Sequence, residues 1–295
     1  MTTLTVFSPS GVVERPPALR VAAKRLNALG FQVQLDEAVA ARGQRFAGSD
    51  ETRLAALHRV AGQAPSVAMA SRGGYGLSRL LDGIDWPLMG RSVERGTRWV
   101  GYSDFTALHL GLLAHAKAPS WAGPTALDAF AADEVDDVTS GCFTEAMSGE
   151  LEALGFRTEA GFDGLEVRGV LWGGNLTMVC SLLGTRHFPK VKGGVLFLED
   201  VNEHPYRVER NLLQLHQAGV LAAQKAVILG TFTGWKPSRL DRGYKLASAV
   251  AAVQARTAAP LLTGLPFGHV APQVSLPVGR RVTLVVQGRD AFIGW

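Results

Sequence analysis

Apolar and polar positions change their period repeatedly over the first 120 residues. Leu4 to Ser8 is a short strand-forming run, and Ser8-Pro9-Ser10-Gly11 supplies turn chemistry directly after it. From about Pro17 to Leu29 the apolar side chains recur at helical spacing, Gly30 closes the segment, and Phe31 to Leu35 resumes strand character. Strand, helix and strand in that order predict a βαβ unit and therefore a parallel sheet. The alternation continues with a helix over 51–62, a buried strand over 66–70, a helix starting at 76–81 behind a glycine-rich turn, a strand over 98–102 and a helix over 104–116. Ligands of such sheets bind beyond the carboxyl ends of the strands, which directs attention to the turns at 71–76 and 102–104.

The second half reads as strands at about 166–172, 194–199, 225–229 and 282–286, with helical patterns at 207–217 and 242–256. Between the halves, from about Ala131 to Phe162, the composition turns acidic at Asp133, Glu134, Asp136 and Asp137, with glycines at 141, 149, 155 and 161. That stretch is read as the interdomain connection. The expected fold class is α/β: an N-terminal parallel-sheet domain with helices on both faces over 1–140, a connector over 141–165, and a smaller C-terminal α/β domain rich in strands over 166–295. A length of 295 residues, about twice the usual single-domain size of roughly 150, agrees with two domains.

Composition narrows the function classes. Hydrophobic residues make up 47% and charged residues 19%, enough apolar material for real cores and too little polarity for disorder. The net charge of +4 comes from basic residues scattered singly, without the cluster a nucleic-acid surface requires. Cys142 and Cys180 have no metal-ligand or CxxC spacing and form no disulfide framework, so a reducing compartment is the simpler reading. The start, MTTLTVFSPSG, lacks a basic region followed by a long apolar stretch, and no segment approaches 18 uninterrupted apolar residues. A cytoplasmic protein with no membrane contact is expected, and a homodimer is left open.

Four segments carry candidate chemistry. Trp99-Val100-Gly101-Tyr102-Ser103-Asp104 places Ser103 at a strand-to-helix turn, where the hydroxyl is pushed out of the sheet and helix N–H groups face a developing oxyanion. The match to G-x-S-x-G is incomplete, because Phe105 stands where the last glycine belongs, and a helix-capping serine is the plain alternative. A serine nucleophile needs a base. Of seven histidines, His269 alone lies in a Gly/Pro-rich loop, Gly264 to His269, that can aim a side chain from a scaffold. The acid candidate is Glu199, where the apolar strand 194–198 ends abruptly in two carboxylates; Asp200 and Glu203 are rivals. Ser71-Arg72-Gly73-Gly74-Tyr75-Gly76 can offer backbone N–H groups as an oxyanion hole does, but is neither a phosphate-binding Walker loop nor a dinucleotide fingerprint. An HExxH-type ligand set is missing, so no metal and no cofactor is expected. The elbow alone permits a generic esterase, and the fold without turnover a peptide-binding module.

Taken together, these segments resemble the LD-carboxypeptidase family, the muramoyl-tetrapeptide carboxypeptidases. The stretches that carry the resemblance are SPSG at 8–11, SRGGYGLSRLLDGIDW at 71–86, GYSDFTALHL at 101–110, GP at 123–124, GGNLTMVCSLLGT at 173–185, LFLEDVNEHPYRVERNLLQL at 196–215 and GH at 268–269, in the family's order. The resemblance implies Ser103 as nucleophile, Glu199 as acid, His269 as base, and an oxyanion hole of the backbone N–H groups of Asp104 and Gly74, with Gly73 the rival of Gly74. It implies an N-terminal domain holding the serine, a C-terminal domain holding the other two, and a peptide or muropeptide substrate from cell-wall recycling. Recognition of a free terminal carboxylate favours an arginine. Arg72 and Arg207 are the candidates, and Asn175 is a further substrate contact. An immunity-type hydrolase of peptidyl-nucleotide antibiotics is the alternative within the family. It would need an aromatic ring in an extra loop to stack a base; the sequence shows no obvious loop of that kind, which leaves Trp172 and Trp235 as the open candidates.

Overall fold

The computed structural model of the protein describes residues 2–295. Among the described residues, short apolar runs separated by glycine and proline turns become thirteen strands. In chain order these are β1 (Thr2–Phe7), β2 (Phe31–Leu35), β3 (Val67–Ala70), β4 (Arg98–Gly101), β5 (Ser120–Ala122), β6 (Ala153–Arg157), β7 (Glu166–Asn175), β8 (Val195–Val201), β9 (Ala226–Thr233), β10 (Leu261–Leu262), β11 (Leu276–Val278), β12 (Arg281–Gln287) and β13 (Asp290–Gly294). They form two sheets, and the chain divides into two units.

The first unit comprises Met1–Leu151, Thr185–Pro189 and Pro272–Gly279. Its sheet has the order β11-β5-β4-β3-β1-β2, parallel throughout except for β11, which pairs antiparallel with β5. The expected strands of the βα alternation are present, as are the helices Pro17–Ala28 and Asp50–Gln63. The order β2-β1-β3 reverses the direction of strand addition at β1, so a crevice opens at the carboxyl ends of β1 and β3. The turns Ser8–Gly11 and Ser71–Gly76 leave the sheet there, and Gly11 N–H donates to the Gly73 carbonyl at 3.2 Å. The core under them is aromatic: Phe7 meets Trp99 edge-on at 5.4 Å between centroids, and Trp99 Nε1–H donates to Ser92 Oγ at 2.9 Å.

Two local differences from the sequence expectation have clear causes. The helix expected from Gly76 is two 3₁₀ turns, Leu77–Arg79 and Leu81–Gly83, followed by a separate helix Trp86–Glu94. Pro87 would clash with the Gly83 carbonyl in a continuous helix, and the Asp85 side chain caps the new start by accepting from Leu88 N–H. In the acidic stretch, Asp136 caps the helix Asp137–Ser148 and Gly149 ends it at φ +89°. Residues 141–165 therefore carry the second half of that helix and β6.

The second unit comprises Glu152–Gly184, Lys190–Ala271 and Arg280–Trp295. Its sheet, β10-β9-β8-β7-β12-β13-β6, is parallel from β10 to β7 and antiparallel from β7 to β6. The parallel strands are nearly continuous apolar runs because both faces are covered. Leu196, Phe197 and Leu198 are fully buried, and Trp172 is buried with its Nε1–H donating to Gln224 Oε1 at 2.9 Å. Cys142 and Cys180 are free thiols. Among the described residues, no helix is long and apolar enough to cross a membrane.

Candidate active site

In the first unit, β4 ends at Gly101 and the chain turns at Ser103 into the helix Thr106–Gly111. Ser103 adopts φ +62°, a left-handed conformation that costs a non-glycine residue about 1–2 kcal/mol and marks a strained elbow. The missing final glycine of the elbow motif has a steric explanation. The Phe105 ring folds back over Gly101, where a Cβ would lie 2.6 Å from Phe105 Cγ, so the ring takes the space that the glycine at 101 leaves open. Gly73 packs against the serine, and a Cβ there would lie 2.9 Å from Ser103 Cβ and 3.1 Å from its Oγ. The glycine turn is thus brought to the hydroxyl itself, with Gly74 following at φ +110°.

Beneath the elbow, His109 is fully buried. Its Nε2 lies 2.9 Å from the Gly101 carbonyl, which can only accept, so Nε2 carries the proton and Nδ1 accepts from Ser120 Oγ at 2.8 Å. Burial pushes this imidazole down to about 4, so it folds neutral. A depressed pKa contributes stability that is present above the unfolded value of about 6.5 and is lost as pH falls toward 4. Urea unfolding between pH 7 and 4.5 is expected to show a fall in stability of up to about 3 kcal/mol from this residue. His109→Gln should flatten that part of the profile, and an unchanged slope in the variant counts against the assignment.

The arginines are engaged elsewhere. Arg72 donates to the Val12 carbonyl and pairs with Glu14 at 3.0 Å, on the rim of a cavity of about 210 Å³ lined also by Arg15, Leu127 and Asp128. Asp128 accepts from the Tyr102 hydroxyl at 3.1 Å, which ties this wall to the residue before the serine. In the second unit, Arg207 is half exposed on the helix Pro205–Gln217 and lies 3.7 Å from Glu203 one turn earlier.

The second unit brings together three of the residues singled out from sequence. Glu199 is completely buried near the end of β8, and its Oε2 accepts from His269 Nδ1 at 2.8 Å. With Nδ1 donating, Nε2 is the basic nitrogen of the ring. Asn175 Nδ2 donates to Glu199 Oε1 at 3.2 Å and to Asp200 Oδ1 at 2.8 Å, while its Oδ1 accepts from Met178 N–H as a helix cap. Asp200 in turn accepts from the N–H and hydroxyl of Thr177. Burial pushes the Glu199 carboxyl above its ordinary range, and the bonds from His269 and Asn175 oppose that shift.

A bulge places the histidine. Leu198 pairs with Leu229 but Asp200 pairs with Phe232, so Gly230 and Thr231 together face Glu199. The Thr231 N–H, displaced from the ladder, donates to the Phe267 carbonyl at 2.8 Å and anchors the loop that carries His269. Gly230 is required, since a Cβ there would lie 2.3 Å from the Phe267 oxygen. Sequence reading did not reveal this bulge. A glycine inside the apolar run 226–232 was the available signal.

The family profile of the LD-carboxypeptidase N-terminal domain matches residues 4–123, and that of the C-terminal domain matches residues 168–284. The chain belongs to the LD-carboxypeptidase family. Among relatives of this family, the murein tetrapeptide carboxypeptidase of Pseudomonas aeruginosa is 31% identical over 92% of this chain and 88% of that protein. The crystal structure of muramoyltetrapeptide carboxypeptidase from Oxalobacter formigenes is 36% identical, with a TM-score of 0.91, covering 99% of this chain and 98% of that one. The microcin C7 self-immunity protein MccF, in complex with aspartyl sulfamoyl adenosine, shares the fold at a TM-score of 0.88 and 20% identity, covering 100% of this chain and 96% of its own. Among the described residues, no group of three or more His, Cys, Asp or Glu side chains is arranged to hold a metal ion.

Proposed function

We propose that this LD-carboxypeptidase family member is a serine carboxypeptidase that releases the terminal D-alanine from murein tetrapeptide stems by cleaving the L,D-peptide bond. Ser103 is the nucleophile, His269 the base, Glu199 the acid, and the backbone N–H groups of Gly74 and Asp104 are the oxyanion donors. The observation that carries the reading is the strained elbow at Ser103, φ +62°, in a chain 36% identical over nearly its whole length to a muramoyltetrapeptide carboxypeptidase.

His269 Nε2 takes the proton of the Ser103 hydroxyl as its oxygen attacks the carbonyl that precedes the D-alanine. The carbonyl oxygen becomes an oxyanion held by the two N–H groups. Collapse breaks the C–N bond, and the imidazolium gives its proton to the departing amine. Water, deprotonated by the same imidazole, then attacks the ester and frees the shortened peptide and the serine. Glu199 holds the ring in the required tautomer and stabilises its charged form. A cytoplasmic place of action, on peptides already imported, fits this reaction. The terminal carboxylate of the substrate is assigned to Arg72 by its place beside the glycine turn, with release from Glu14 on binding; Arg207 and Asn175 are second to it.

The peptidyl-nucleotide reading has less support, since Trp172 is sealed in the core and Trp235 sits half-buried, edge-on to His204 at 5.4 Å. Mass spectrometry of separate digests of a murein tetrapeptide, a peptidyl nucleotide and a simple ester decides between the activities. Loss of one D-alanine from the tetrapeptide is expected. An intact tetrapeptide beside a cleaved nucleotide conjugate or ester overturns the proposal.

A further inference from the structure

The reaction above uses the backbone of Asp104 and leaves its side chain without a role, although that side chain is almost fully buried. Its Oδ2 accepts from Ser10 Oγ at 2.6 Å and from Leu77 N–H at 2.9 Å, and its Oδ1 is buried without a partner. Keeping a carboxyl group in such a place is costly, and burial pushes it above its ordinary range against the opposing bonds from Ser10 and Leu77. The two donors come from segments that flank the glycine turn. Leu77 is the first residue beyond Gly76. Ser10 precedes Gly11, whose N–H donates to the Gly73 carbonyl and whose Cα side meets Gly74, a Cβ on Gly11 falling 3.6 Å from Gly74 Cα. Arg53, itself fully buried, braces the same loop by donating to the Pro9 carbonyl at 3.0 Å. A carboxylate oxygen has two acceptor sites and no donor, so one atom can join two loops at the residue that follows the nucleophile.

We infer that the Asp104 side chain is a positioning residue, a latch that ties the turns at 8–11 and 71–77 to the elbow and so holds the Gly74 and Asp104 N–H groups toward one point beside the Ser103 hydroxyl. The inference rests on the oxyanion role proposed for those two groups. The latch is tested with Asp104→Ala, Asp104→Asn and Ser10→Ala in the full chain. Amide hydrogen exchange over 8–12 and 72–77 is read together with kcat and KM for D-alanine release and with Tm.

Asp104→Ala is expected to speed exchange in both turns by about tenfold or more. It should also lower kcat by ~10²-fold with KM changed by less than about threefold, as loss of an aligned oxyanion donor does. Asp104→Asn keeps an acceptor oxygen for Ser10 and Leu77, and should recover kcat to within about tenfold of the wild type. Ser10→Ala should fall between, and with Asp104→Asn it decides the matter if the alanine variant does not fold. Unchanged exchange in Asp104→Ala, full activity despite faster exchange, or an asparagine variant as impaired as the alanine one each overturns the latch. If the wild-type protein releases no D-alanine, the proposed activity falls, and the exchange measurement alone still decides whether Asp104 holds the turns.

Discussion

Ser103→Ala is expected to lower kcat for D-alanine release by ~10⁴-fold or more while leaving peptide affinity within a few-fold of the wild type. The substitution deletes one oxygen from an elbow whose backbone strain is unchanged, because alanine pays much the same cost as serine at φ +62°. Tm should therefore move by little, and the variant should bind the tetrapeptide without consuming it. Calorimetric titration gives the affinity, and single-turnover analysis by mass spectrometry gives the rate. Hydrolysis at a comparable rate would remove the serine from the mechanism.

Glu199→Gln should cost nearly as much, ~10³ to 10⁴-fold in kcat, for a reason that lies in Asn175. The Asn175 carbonyl is committed to Met178 N–H, so its Nδ2 must face residue 199 as a donor. The carbonyl of a glutamine at 199 would satisfy that donor, which turns the glutamine NH₂ toward His269 Nδ1. The ring must then accept at Nδ1 and carry its proton on Nε2, the atom that receives one in the proposed mechanism. Nitrogen chemical shifts of His269 read the tautomer directly. A variant that keeps Nδ1 protonated, or that retains more than about a tenth of wild-type kcat, contradicts this account. Glu199→Asp leaves an acceptor on a shorter arm and should lose less.

The parallel alternation over residues 2–111 was legible because buried strands and amphipathic helices have different periods, and the turns after β1, β3 and β4 carry their own punctuation. The acid and the histidine that the structure pairs were also visible: Glu199 as an abrupt polar end to an apolar run, and His269 as the tip of a glycine and proline loop. What stayed hidden is non-local. β5, β10 and β11 are two or three residues long and owe their strand character to neighbours, most plainly β11, whose Leu276 to Val278 returns from the far end of the chain to pair with β5. The acids at 133–137 suit a linker and a helix cap alike, because both draw on the same residues, and the bond that Thr139 N–H donates to Asp136 Oδ1 is what marks the cap. Asn175 carried a signal for importance in its glycine-flanked turn, but not for its task, since its partners Glu199 and Asp200 lie 24 and 25 residues away.

The surplus residue in β9 bears on attempts to improve the protein. Deleting Thr231 would regularise the strand, leaving Gly230 alone opposite Glu199 and Phe232 still paired with Asp200. It would also remove the amide that tethers the Phe267 carbonyl, and the imidazole would swing with its loop. A tidier ladder would thus be purchased with a silent catalyst, and libraries that vary residues 264–269 should leave 230 and 231 untouched.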